Sequence, residues 1–434
     1  MRICLYTETA LPTIGGQELV VDALAREFTN QGHDVVVLAP TPRGSLVADD
    51  RRLPYRVVRH RRFLSTRRLI EWYQYPLLKL HRKFPFEVLH CHSVHPCGYL
   101  GALCQDRLQA ALVLTSHGGD IREGGARILK RGARSRAITA LRRADAVVSI
   151  SGFTTQTLWR LEPSTRMIVE IPNGVDLTPF DNPPLRRHSA RPPELDPRIR
   201  AGRYVLFLGR LHRRKGVDVL LEAWAASLAK TDSGMMLAIA GDGLERDALA
   251  NQAGRLSILP GVCFLGRVAG PNKTWLLQNA RCVCMPSREW EAFPLVIMEA
   301  FAAGKPMIGT RIHGLEDLIT HGRTGWLVAP ESPVELAAAL HEMSVDNRSL
   351  QNYGANARRS ALDHGWPSIA ARHLALYETT LYQSIRRPEA RLAAREIVGW
   401  TAPAAAEPPL AAQTAEVSRV GNAAPLDGRS RPFR

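Results

Sequence analysis

Short apolar runs alternate with amphipathic stretches along most of this chain, and the alternation passes through two cycles. In the first, Ile3–Tyr6, Val35–Ala39, Tyr55–Arg59, Glu87–His90, Leu112–Thr115, Ala146–Ile150 and Met167–Ile171 read as strands. In the second, Tyr204–Leu208, Met236–Ala240, Val262–Leu265, Cys282–Met285, Pro306–Gly309 and Trp326–Val328 do the same. Runs of this kind, separated by segments of helix length, indicate parallel strands buried on both faces and joined by crossover helices. Between the first two strands the spacing predicts a helix over Glu18–Asn30, with Leu19, Ala23, Leu24 and Phe28 on its buried face. Ser332-Pro333-Val334-Glu335 opens a later helix with a capping box and proline at its first position. The segment 178–202 interrupts the pattern with six prolines, several arginines and few large apolar residues, as a linker or surface loop would. The expected fold is therefore α/β: two Rossmann-like, doubly wound domains, 1–177 and 203–365, facing a central cleft. An amphipathic segment, 366–385, follows as a helix. In 386–434 alanine, proline and arginine dominate without periodicity, which predicts disorder.

Charge narrows the partners. The chain of 434 residues carries 57 basic against 41 acidic side chains, a net charge of +16, and only seven of the basic residues are Lys. From Arg43 to Lys83 there are twelve basic and three acidic residues, and from Ile121 to Arg143 eight and one. These two stretches account for the whole excess, so the positive field belongs to the N-terminal half. A nucleic acid, an anionic membrane or an anionic glycan or lipid-phosphate acceptor would answer to it. No apolar run reaches the ~18 residues of a spanning helix. Met1–Ala10, interrupted by Glu8, reads as a buried strand and not as a signal peptide. Seven cysteines, with no C-x-x-C pair, point to core thiols in a reducing compartment, so the expected location is the cytoplasm or the cytoplasmic face of a membrane. His90-Cys91-His92, with His95 and Cys97, has the composition of a metal cluster. These residues end an apolar strand whose side chains alternate in direction, however, and no second ligand pair follows at zinc spacing.

The loops after the strands carry the candidate chemistry, because open parallel sheets bind ligands beyond their carboxyl ends. Gly15-Gly16 enters the first helix, where backbone N–H groups can meet an anion; a plain tight turn fits equally. His117, in Ser116-His117-Gly118-Gly119-Asp120, is placed to hydrogen-bond a sugar hydroxyl or to cap the sheet edge. Asn173-Gly174-Val175-Asp176 is either functional or a turn. Gly209-Arg210-Leu211-His212-Arg213-Arg214-Lys215-Gly216 puts Arg210 and Lys215 where they can neutralise a diphosphate as a glycosidic bond to it breaks. Gly241-Asp242-Gly243 makes another tight turn facing the same cleft. The most specific stretch is Pro286 to Ala300, in which Glu291 lies in a loop, Pro294 near a first helical turn, and Glu299 further along an apolar helix. A carboxylate there is costly without a partner. Carboxylates beside a helix N-terminus suit a ligand with both hydroxyls and phosphate.

With these motifs in order, the chain resembles a glycosyltransferase of family 4 (the glycosyl transferases group 1), a retaining family of the GT-B fold. The resemblance rests on Gly15-Gly16, His117-Gly118, Ile171-Pro172-Asn173-Gly174-Val175-Asp176, Gly209-Arg210 with Lys215-Gly216, Gly241-Asp242-Gly243, and the pair Glu291 and Glu299. Gly304-Lys305-Pro306, Gly314 and Gly322-Arg323-Thr324-Gly325-Trp326 complete it, and it covers about residues 1–385. It implies that Arg210 and Lys215 hold the donor diphosphate, that Glu291 contacts the donor sugar, and that Glu299 binds the ribose hydroxyls. Backbone N–H groups around Phe293, Pro294, Leu295 and Val296 would help hold sugar and phosphate. Gly16 would approach the phosphate from the other domain, His117 would touch the transferred sugar, and Arg267 and Val268 would border the base. Family members usually carry Gly where Ala292 stands. The helix after Trp366 resembles the family's closing helix, which returns to the N-terminal domain.

The implied reaction is transfer from a UDP- or GDP-sugar to a hydroxyl of a glycan or lipid-linked acceptor, in cell-envelope polysaccharide or glycolipid synthesis. Configuration is retained, the departing phosphate assists the acceptor hydroxyl, and neither a metal nor a prosthetic group is required. The basic N-terminal half would then face an anionic membrane or the acceptor. Two other readings compete. A sugar-nucleotide epimerase on the same fold would need acid/base residues for proton abstraction at carbon, and the Glu291–Glu299 pattern weighs against it. A nucleic-acid-binding protein would need a recognition motif, and none is present.

Overall fold

The computed structural model describes residues 1–42, 49–61, 70–121, 131–181, 191–227 and 234–385. The tail 386–434, expected to be disordered, lies outside them. Each of the thirteen apolar runs forms a strand, no end displaced by more than one residue. The first seven are β1 (Arg2–Tyr6), β2 (Asp34–Pro40), β3 (Arg56–His60), β4 (Val88–Cys91), β5 (Ala111–Ser116), β6 (Ala146–Ser149) and β7 (Ile168–Glu170). They build one parallel sheet in the order β3-β2-β1-β4-β5-β6-β7. The remaining six are β8 (Tyr204–Leu208), β9 (Met236–Ala240), β10 (Val262–Gly266), β11 (Cys282–Met285), β12 (Met307–Thr310) and β13 (Gly325–Val328). These form a second parallel sheet, β10-β9-β8-β11-β12-β13. Strands β4, β5, β6, β8, β11, β12 and β13 are buried along their full length, because helices cover both faces of each sheet.

The first helix runs Gly16–Asn30 and buries Val20, Val21, Leu24, Ala25 and Phe28. Leu19, expected on the buried face, is exposed. Neighbours on a helical ridge are three or four residues apart, and here the ridges 20–24–28 and 21–25 meet the sheet, one residue round from the expected stripe. At Ser332 the side chain caps the helix Pro333–Val345 by accepting from the Glu335 N–H at 3.2 Å. The Glu335 carboxylate does not complete the box: it accepts from the Ala329 N–H and from Arg311.

Asn173-Gly174-Val175-Asp176 proves to be a crossing point. Val175 donates to the His364 carbonyl at 2.8 Å and bridges Gly365, and a Cβ on Gly174 would lie 2.5 Å from the Trp366 ring. From there the helix Trp366–Ile385 packs on the first sheet, burying Ile369, Ala370, Leu374 and Tyr377 against the core that contains Val21 and Phe28. Beneath it lies a row of imidazoles. His90 bonds Tyr377 Oη through Nδ1 and Thr115 Oγ1 through Nε2, both at 2.6 Å. Its ring is 4.2 Å from His92 and 5.6 Å from His373, and His92 Nδ1 lies 3.1 Å from His117 Nε2. Burial holds all four rings neutral, pushing His90 and His92 well below the ordinary 6.5 and His117 and His373 down to about 4. All seven cysteines are free and buried, and among the described residues no group of three or more His, Cys, Asp or Glu side chains is arranged to hold a metal ion.

Two tests follow from this architecture. An unfolded imidazole takes up its proton near 6.5, His117 and His373 only near 4, and His90 and His92 well below 6.5, so the unfolded state binds more protons in between and stability falls as pH falls. His373 alone removes about 3 kcal/mol between those limits. The urea midpoint should therefore drop steeply below pH 6.5 in the wild type and less steeply in His373→Gln; equal slopes would contradict the origin assigned here. Gly174→Ala should cost on the order of 1–3 kcal/mol by overpacking against Trp366, read in the same assay.

Candidate active site

In both sheets the strand order reverses once, between β1 and β4 and between β8 and β11, and crevices open at the carboxyl ends of strands at such points. The loops after β8 and β11 carry Arg210–Gly216 and Pro286–Phe293. They are pinned together. Gly216 adopts φ +67, and a Cβ there would lie 2.0 Å from the Pro286 carbonyl oxygen, so only glycine fits. The Arg288 N–H donates to the Arg214 carbonyl at 2.8 Å. The Arg288 guanidinium grips both oxygens of Asp218 and also donates to Glu331 and to the Arg213 carbonyl.

This fastening brings Lys215 and Glu291 into contact. Lys215 Nζ donates to Glu291 Oε1 at 2.6 Å, and Ser287 Oγ donates to the same oxygen at 3.0 Å. Both charged side chains are largely buried, at 13% and 8% exposure. Arg214 stands 3.7 Å from Glu291 Oε2, beyond hydrogen-bond range, so that oxygen keeps accepting capacity. On the far side the Glu291 N–H donates to the His313 carbonyl at 3.0 Å. Gly314, at φ +86, sits so close to the Glu291 carbonyl that a Cβ would lie 1.7 Å from its oxygen. Arg210 is exposed and makes no side-chain bond among the described residues.

The helix Leu295–Ala302 starts at Pro294 with no side-chain cap: the Ile297 N–H donates to the Pro294 carbonyl at 3.0 Å, and no side chain takes up the N–H groups of Leu295 and Val296. Phe293 is buried, while Leu295 and Val296 are half-buried at that end. Further along the helix, Glu299 Oε1 accepts from Lys273 Nζ at 2.6 Å, and its Oε2 is buried with no partner. A buried carboxylate oxygen left open in this way is costly unless a donor reaches it. Arg267 is exposed and Val268 half-buried just past the end of β10.

The facing wall comes from the first sheet. Gly15 stands just before the helix Gly16–Asn30, where a Cβ would lie 2.5 Å from a Glu18 carboxylate oxygen, whereas the space beside Gly16 is open. His117 is half-buried and held by His92. Its neighbour Gly118, at φ +84, meets the second domain: a Cβ there would lie 2.5 Å from Ala292 Cβ and 3.3 Å from the Trp290 ring. The structure thus joins Lys215 to Glu291, and the His117 loop to the Glu291 loop. Among the described residues no hydrogen bond or ion pair joins these groups to Gly15, Gly16, Arg267 or Glu299. Ser287, Lys273, Arg288 and His92 have site or supporting contacts that sequence reasoning did not assign. The partners of Lys273, Arg288 and His92 lie in other segments of the chain, whereas Ser287 bonds Glu291 within one loop, and only for Ser287 and Arg288 did position in the Pro286–Ala300 stretch offer a signal.

Two family models match the chain. One, described as Glycosyltransferase Family 4, covers residues 14–179, and the other, Glycosyl transferases group 1, covers 198–360. A phosphatidyl-myo-inositol mannosyltransferase of Mycolicibacterium smegmatis is 29% identical over 87% of this chain and 94% of its own length. A GDP-mannose-dependent alpha-mannosyltransferase of the same species is 29% identical over 88% and 98%. Among solved structures, the Anabaena HepE protein in complex with UDP superposes with a TM-score of 0.72 at 20% identity, over 87% of this chain and all of that one. The fold is therefore GT-B. With one model on each half and the two together spanning about three-quarters of its length, the chain belongs to glycosyltransferase family 4, the group 1 glycosyl transferases.

Proposed function

We propose that this glycosyltransferase moves a sugar from a nucleotide-sugar donor to a hydroxyl of a glycan or lipid-linked acceptor, with retention of configuration. The observation that carries the reading is the Lys215–Glu291 pair beside the free Arg210 and the uncapped start of the helix Leu295–Ala302. Arg210, Lys215 and the first-turn N–H groups hold the donor diphosphate. Glu291 accepts from a hydroxyl of the donor sugar through its less-used Oε2, and Glu299 accepts from the ribose through its open Oε2. Gly16 leaves room for the phosphate on the facing wall, while Arg267 and Val268 border the base. His117, kept neutral by burial, offers the sugar a hydrogen bond without adding charge.

In the transfer, the bond between the anomeric carbon and the phosphate oxygen breaks as the acceptor oxygen attacks from the same face. The acceptor proton passes to the departing phosphate oxygen. No carboxylate nucleophile takes part, in contrast to retaining hydrolases. Negative charge grows on the diphosphate as it leaves, and fixed cations and N–H groups stabilise that state more than the bound donor.

The acceptor reading draws on the N-terminal half. Seven of the twenty basic residues in the two stretches fall in 43–48, 62–69 and 122–130, outside the described residues. What is described includes the helix Gln74–Lys83, which buries Leu77 and Leu80. Its outer face shows Tyr75, Lys79, Arg82 and Lys83, next to Trp72 at 76% exposure. Aromatic rings among cations suit the interface of an anionic bilayer. A relative whose name specifies phosphatidyl-myo-inositol supports a lipid-linked acceptor. No described helix is long and apolar enough to cross a membrane.

Thermal shift against a donor panel tests the donor class, with GDP-mannose first and UDP-glucose second; a bound donor raises the midpoint by mass action. Arg210→Ala is the cleanest site test. It should lower kcat/KM by on the order of 10²–10³-fold while leaving the melting temperature unchanged, and near-normal turnover would refute the assignment. Glu291→Gln should lose transfer to a similar degree, whereas Glu299→Gln should chiefly raise the donor KM. Liposome flotation should show binding to anionic but not zwitterionic vesicles at low salt, weakened by replacing Trp72 and Tyr75 with Ser. Indifference to anionic vesicles would leave a soluble acidic glycan as the acceptor.

A further inference from the structure

Phe153 belongs to the first sheet's domain, yet its ring lies on the second. It is the second residue of the helix Gly152–Leu161, whose N-cap Ser151 accepts from the Thr154 N–H at 3.3 Å. Because β6 ends at the cleft, the first turn of this helix projects toward the opposite domain. There the Phe153 ring stacks on Trp290, with centroids 5.3 Å apart and planes at 30°, and on His313, at 5.0 Å and 17°. Trp290 immediately precedes Glu291. The carbonyl of His313 receives the Glu291 N–H, and Gly314, the next residue, packs on the Glu291 carbonyl. The two residues that meet the Phe153 ring are thus bonded directly to the backbone that carries Glu291, one through the chain and one through a hydrogen bond.

We propose that Phe153 is a positioning residue for Glu291, supplied by the acceptor-side domain to hold a carboxylate of the donor-side domain. The proposal rests on the reading of Glu291 as the donor-sugar contact. The role follows from the stacking of this ring on both sides of the Glu291 loop. When the two domains are apposed, with Gly118 against Ala292, the Phe153 ring fixes the Trp290 and His313 sides of the loop. Glu291 is then oriented toward the sugar. When they part, the loop loses that support on its Trp290 and His313 sides, while the Lys215–Glu291 bond and the nucleotide contacts at Arg210 and Glu299, all within the second domain, are untouched. Closure is thereby coupled to sugar alignment and not to nucleotide binding.

The test compares wild type, Phe153→Ala, Phe153→Tyr, Glu291→Gln and the double variant Phe153→Ala/Glu291→Gln. The readouts are kcat and KM for release of the nucleoside diphosphate from the donor that the panel selects, with water as the acceptor of the sugar, and the Kd of that nucleoside diphosphate alone. Phe153→Ala should lower kcat about 10-fold, the size expected from losing aromatic contacts, with the diphosphate Kd unchanged. Phe153→Tyr keeps the stack and should keep kcat. In the double variant, Phe153→Ala should cost nothing beyond Glu291→Gln, since its effect passes through that carboxylate. Wild-type kcat in Phe153→Ala, a weakened diphosphate Kd, or an undiminished cost in the Glu291→Gln background would overturn the proposal. If Glu291→Gln itself turns over normally, the assignment of Glu291 fails and the proposal falls with it; if only Phe153→Ala is silent, Glu291 stands and Phe153 does not.

Discussion

The second domain's site depends on one ion pair. Lys215 and Glu291 come from loops after different strands, and each is largely removed from water. Burying either charge alone would be unfavourable, and breaking such a pair typically costs about 3–5 kcal/mol, so each holds the other in place. The surroundings are built to bring the loops that close. Gly216 and Gly314 accept backbone contacts that no side chain would permit, and Arg288 ties the two loops through Asp218. The pair lies where the order of strands reverses, so the topology leaves a crevice directly above it. A cation already beside a carboxylate need not be recruited when an anionic ligand arrives, which is the preorganisation that charge-developing reactions exploit.

How much of this was legible in the sequence follows from the range of the forces. Strands buried on both faces must be continuous apolar runs, so all thirteen could be located to within one residue. The face of the first helix was off by one because its amphipathic pattern is broad and Val20 and Val21, not Leu19 and Ala23, meet the sheet. Loop motifs marked Arg210, Lys215, Glu291 and Glu299, since glycines and unpaired charges after strands are local signals. Lys273 under Glu299, His92 behind His117 and Phe153 on Trp290 were not legible, because each pairing joins distant segments that only the fold brings together. Gly174, which looked equally like a turn or a functional loop, is explained by the indole of Trp366 packed against it.

That crossing joins the two domains. The chain leaves the first sheet through Val175, builds the second, and returns at Trp366 beside its own exit. The returning helix then anchors on the imidazole row beneath it through Tyr377 and His90. The two domains also meet through Gly118 on Ala292 and through Phe153 on Trp290 and His313.

If the Lys215–Glu291 pair, with Arg210, forms the diphosphate end of a donor site whose ribose end is Glu299, a crystal structure with a nucleoside diphosphate bound, GDP or UDP as the donor panel dictates, should show it. Diphosphate oxygens should lie within hydrogen-bond distance of Lys215 Nζ and the Arg210 guanidinium, with a ribose hydroxyl on Glu299 Oε2. A diphosphate seated away from both cations, or a ribose that leaves Glu299 Oε2 without a donor, would contradict it.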